Sequence, residues 1–141
     1  MPVSVVLCPT DQVENYWPKV QLLLQPAVDR SGGRASADQT YRLAMNGKVQ
    51  IWLMYDENTK DIVAAGASEL RTYPGRKILN VLLVAGHRMS EWLDKFIDKL
   101  KRFAIYNEAK ALELYGRTGW IRKLESKGFK TQKACLMEMG L

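Results

Sequence analysis

The stretch Val81-Leu82-Leu83-Val84-Ala85-Gly86, continuing into His87-Arg88-Met89-Ser90-Glu91-Trp92, constrains this chain more than any other. Residues 77–85 are almost continuously apolar, the pattern of a central strand covered on both faces. A glycine ends the run. Beyond it Trp92, Phe96, Leu100 and Phe103 recur at steps of four, four and three, and Leu93, Ile97 and Ala104 widen the same stripe. That spacing predicts an amphipathic helix ending near Asn107. A strand passing through a glycine turn into a helix gathers backbone N–H groups and the positive end of a helix dipole at one spot. Such a spot suits a phosphate-bearing ligand.

The rest of the chain supplies the partners. Val3 to Leu7 reads as a first strand. Asp11 with Glu14 fits an N-cap and capping box for a helix carrying Val13, Tyr16, Trp17, Val20 and Leu24, which Pro18 is expected to kink or restart. Ser36 and Gln39 form a second capping box, and Asn46-Gly47 a stop. Alternation over residues 49–55, a loop at 56–60 and a returning strand over 61–71 make a hairpin. Tyr73-Pro74-Gly75 turns the chain into the central strand. After the long helix come a short strand at 111–115, a helix at 118–127 stopped by Gly128, and a last strand over 129–139. This order predicts a single α/β domain over residues 1–141, with a mixed, mostly antiparallel sheet and helices on both faces.

Composition excludes more than it selects. A chain of 141 residues fits one domain. No apolar run reaches the ~18 residues of a membrane span, and the N-terminus lacks a basic region and a cleavage pattern. Cys8 and Cys135 read as buried thiols in a reducing compartment. One histidine and no Cys-x-x-Cys make a metal site improbable, and only His87 could serve a triad-type hydrolase. The net charge of +6 favours polyanionic partners or a phosphorylated ligand. The basic face of Lys95, Lys99 and Arg102 has no interleaved aromatic platforms, so nucleic acid is not the expected partner.

The element order resembles that of the GNAT superfamily of N-acetyltransferases, most specifically from Asp61 to Phe129. The resemblance implies a parallel fourth and fifth strand that splay apart, with the pantetheine arm of acetyl-CoA between them. It implies backbone contacts at Leu83, Val84 and Ala85, and a diphosphate cradle at Gly86, His87, Arg88, Met89 and Ser90. Arg117, in Gly116-Arg117-Thr118-Gly119, would meet the adenosine phosphate or a substrate carboxylate, or cap a carbonyl. Glu69 is the implied base for an amine acceptor, a small molecule or a protein, and His87 at the turn is a second candidate base. Tyr115 or Tyr73 would replace the general acid, because the family's usual tyrosine position is Leu124. The cradle departs too: it has one glycine, and Met89 and Glu91 bring neither small size nor favourable charge.

Each of these residues also has a plain structural reading. Arg88 could face solvent, His87 could be a turn residue, and Trp92 and Trp120 could be core. The wording of both turns is similar to a GNAT-like group common among tailed bacteriophages. That implies a host-cytoplasmic protein, or a non-catalytic module with a virion or host partner, as the alternative to an acetyl-CoA-dependent enzyme. Pairing of two copies through residues 134–139 is implied by the same analogy.

Overall fold

The computed structural model describes residues 2–115, 118–132 and 137–141. Five strands lie in chain order in one sheet: β1 (Val3–Leu7), β2 (Gln50–Asp56), β3 (Ile62–Thr72), β4 (Lys77–Gly86) and β5 (Ala111–Leu114). The first three pairings are antiparallel and β4 with β5 is parallel. Strand alternation sends side chains to two faces, and each face is covered. Trp52, Met54, Ala64, Leu79 and Val81 pack under α3 (Met89–Tyr106), with Leu124 of α4 (Thr118–Glu125) in the same cluster. Ile51, Leu53, Ala65, Ala67 and Leu83 pack under α1 (Val13–Asp29) and α2 (Ala37–Met45). The mixed sheet with helices on both faces follows the sequence pattern.

Local details depart from that pattern in instructive ways. Asp11 does not cap α1: it lies in a 3-10 turn (Thr10–Gln12), and Gln12 takes the N-cap position without a side-chain bond. Nor does Pro18 restart the helix. α1 runs through both Pro18 and Pro26, because burial of Val13, Val20 and Leu24 outweighs the lost backbone bond, a cost of about 3 kcal/mol. Ser36 does cap α2, accepting the Gln39 N–H at 3.0 Å. The last strand is not found where expected: residues 129–132 and 137–139 take no strand pairing. Residues 133–136, with Cys135, lie outside the described residues, as do Gly116 and Arg117. Cys8 is buried, and burial pushes its thiol up, as an inert core thiol should behave.

One irregularity positions the rest. Ala67 pairs with Leu83 and Ser68 with Val81, so Leu82 has no partner on β3 and forms a bulge. The extra residue reverses the facing of β4. Before it, Leu79 and Val81 point toward α3; after it, Leu83 and Ala85 point toward α1. Pairing between β4 and β5 covers only Ile78 to Val81, opposite Ala111 to Leu114. From the bulge onward, residues 82–86 pair with β3 on one side, and no described strand pairs with them on the other.

Candidate functional site

The free edge of β4 leads into the turn at residues 86–90, and what fills that turn is charge. Gly86 adopts φ +142° and lies so close to β3 that an added Cβ would sit 2.4 Å from the Ala64 Cα. Its glycine is required by strand packing. His87 donates its N–H to the Val63 carbonyl at 2.8 Å and gives its own carbonyl to the Trp92 indole at 2.7 Å, while its side chain is exposed. Met89 and Ser90 open α3, where the first-turn N–H groups of a helix lack intrahelical acceptors.

Arg88 does not face open solvent. It caps α3 in the left-handed conformation, φ +62°. Its Nε and Nη2 donate to the two Glu91 carboxylate oxygens at 2.7 and 2.8 Å, and Nη1 donates to Asp56 Oδ2 at 2.8 Å. Asp56 ends β2, is nearly buried, and also accepts the N–H groups of Asn58 and Thr59. The Thr59 N–H, then Arg88, then the Asn58 N–H hold its carboxyl at about 2, and Arg88 holds Glu91 below the carboxylate range. Both carboxylates are thus satisfied by a shared cation, and the N-terminal ammonium adds a favourable field at Glu91. The cluster's contribution to stability should be complete above the ordinary carboxyl value of 3.8 and lost as pH falls through about 2. The acid transition of wild type should therefore contain a component between about pH 4 and pH 2 that Asp56→Asn lacks. Superimposable acid melts of the two proteins would rule that out.

A second polar group forms on the α1 face, just before the bulge. Glu69, Asn80 and Glu113 occupy adjacent positions on β3, β4 and β5. Arg71 Nε donates to Glu69 Oε1 at 2.8 Å. Asn80 Nδ2 and Tyr73 Oη each approach Glu113 Oε1 at 3.4 Å, and Asn80 is buried. Tyr115 follows on the same face, 82% exposed. A cavity of about 940 Å³ along the outer edge of β5 brings Tyr73, Glu113 and Tyr115 together, and neither Glu69 nor residues 83–90 line it. Glu113 and Asn80 escape a sequence reading because nothing in 78–81 or 111–114 announces that the two segments pair in that register. Leu124 is buried in the α3-face core, so its position supplies no acid. Among the described residues no group of His, Cys, Asp or Glu could hold a metal ion, and no helix is long and apolar enough to cross a membrane.

A five-stranded mixed sheet with a parallel β4–β5 pair and helices on both faces matches the GNAT fold. Solved structures of that fold are similar over nearly the whole chain. An aminoglycoside acetyltransferase from an uncultured soil metagenomic sample superposes with a TM-score of 0.70 at 16% identity, covering 100% of this chain and 99% of its own. A predicted acetyltransferase from Clostridium acetobutylicum, solved with acetyl-CoA, gives 0.69 at 12%, covering 97% and 96%. Glucosamine-6-phosphate N-acetyltransferase from Arabidopsis thaliana gives 0.67 at 10%, covering 99% of each chain. No family model matches the sequence, and no curated protein matches it. At these identities the likeness is one of fold, and the site must carry any statement about chemistry.

Proposed function

We propose that this protein is an N-acetyltransferase that takes its acyl group from a pantetheine thioester such as acetyl-CoA. The observation that carries the reading is the bulge at Leu82, at the point where β4–β5 pairing ends. Backbone groups of residues 82–86 on that side have no strand partner among the described residues, and an extended arm with its own amides can complete them. The arm end therefore fits. The diphosphate end fits poorly, because Asp56 and Glu91 already occupy the cation that should meet it.

The bound thioester would supply an activated acyl carbon. This chain's residues would do the rest. Those backbone N–H groups among Leu83, Val84 and Ala85 that point away from β3 would orient the arm and polarise the carbonyl as negative charge develops on its oxygen. Glu69 or Glu113, on the α1 face, would take the proton of an incoming ammonium so that its lone pair can attack. Tyr115 would return a proton to the departing thiolate. Positioning of the two reactants contributes most of the rate in such a scheme.

The test is thiol release from acetyl-CoA against a panel of small amines and lysine peptides, with calorimetric binding beside it. Glu113→Gln or Tyr115→Phe should lower turnover by roughly 10²-fold while leaving thioester affinity unchanged. Absence of both binding and thiol release at millimolar ligand would overturn the reading. It would favour the second one, a GNAT-fold module that binds a virion or host protein, for which the carboxylate-filled turn and the core position of Leu124 are the supporting observations.

A further inference from the structure

We propose that the Asp56–Arg88–Glu91 cluster closes the turn at residues 86–90 to the coenzyme diphosphate, so that this chain binds its acyl donor through the pantetheine thioester arm and gains little from the phosphates. This rests on the thioester reading above.

The geometry is direct. An arm lying along residues 82–86 spans about 16 Å at strand rise and ends at this turn. A diphosphate there would need the amide groups of Met89 and Ser90 and a cation. The cation present is Arg88, and three of its N–H groups are held at 2.7 to 2.8 Å by Glu91 and Asp56. The Glu91 contact is bidentate, the strongest geometry a guanidinium offers a carboxylate. Both carboxylates are ionised at neutral pH. An approaching diphosphate therefore meets two carboxylates and must displace a preformed ion pair to reach Arg88. Glu91 also sits in the first turn of α3, where its carboxylate takes up the favourable helix-end potential that an anion would otherwise use.

Asp56 links the cluster to a second element. It ends β2 and fixes the 58–59 turn through two backbone N–H groups. Arg88 thus ties the start of α3 to the β2–β3 connection, and that structural duty explains why an arginine stands there in a left-handed conformation.

The test compares acetyl-CoA with S-acetylpantetheine, by titration calorimetry on the full chain. Wild type should bind the two within about threefold of each other, with little change between low and moderate salt. Glu91→Gln, which removes one carboxylate charge and the bidentate partner of Arg88, should tighten acetyl-CoA by about tenfold and leave S-acetylpantetheine unchanged. Arg88→Gln, which makes it more negative, should weaken acetyl-CoA alone. A thermal melt on each variant establishes that it is folded, and Glu91, being part-exposed, gives the variant least able to disturb folding. Wild type binding acetyl-CoA a hundredfold or more above the fragment, or a ratio unmoved by Glu91→Gln, would overturn the proposal and leave the thioester reading standing. Failure of both ligands to bind any variant would overturn both.

Discussion

Gly86→Val is expected to be the most damaging single substitution in this protein. The added Cβ would approach the Ala64 Cα to 2.4 Å, the Ala64 Cβ to 2.5 Å and the Val63 oxygen to 2.5 Å. Two of those atoms are backbone, so no rotamer change relieves the contact. A β-branched residue at φ +142° adds conformational strain. Overpacking and backbone strain together should cost roughly 3–5 kcal/mol, a large share of the 5–15 kcal/mol that stabilises an ordinary domain. A melting temperature lowered by about 10 °C or more, or an insoluble chain, is the expected result. A Gly86→Ala melt within about 2 °C of wild type would show that β3 and β4 do not approach this closely. A bulky side chain at Gly86 therefore probes the fold, and it is unsuited to probing ligand binding.

The second large effect is expected at Trp92. It is 2% exposed, sits edge-to-face with Phe96 at 6.1 Å, and donates its indole N–H to the His87 carbonyl at 2.7 Å. It thereby packs α3 against the sheet and fixes the turn that precedes it. Trp92→Ala should cost about 3–5 kcal/mol in urea denaturation. Trp92→Phe, which keeps most of the packing and loses the donor, should cost about 1–2 kcal/mol. Equal losses for the two variants would mean that the hydrogen bond, and not the buried ring, carries the effect.

Periodicity made most of the framework legible. The apolar run at 77–85 and the stripe Trp92, Phe96, Leu100, Phe103 specify β4 and α3, because a buried two-faced strand and a one-faced helix leave different spacings in sequence. The cap at Ser36 was equally legible, since its bond to Gln39 spans three residues. Where the sequence misled, a local rule was outweighed by packing. Pro18 breaks an isolated helix but not one whose Val13, Val20 and Leu24 are buried. Gly86 suggests a ligand cradle in sequence, and in the fold it is the only residue that fits against Ala64.

The site was less legible for the same reason. Arg88, read alone, is a candidate phosphate ligand or a solvent-facing cation. Its ion pair with Glu91 spans three residues and lies within reach of pattern reasoning, but its partner Asp56 is 32 positions away. Glu113 and Asn80 meet across 33 positions, through a parallel register that only assembly of the sheet creates. By itself the sequence determined the strand–turn–helix frame and the two-sided core, because both follow from the spacing of apolar residues along the chain. Tertiary structure decided the bulge at Leu82, the end of β4–β5 pairing at Val81 and the neutralisation of Arg88, because each depends on distances between segments that are remote in sequence.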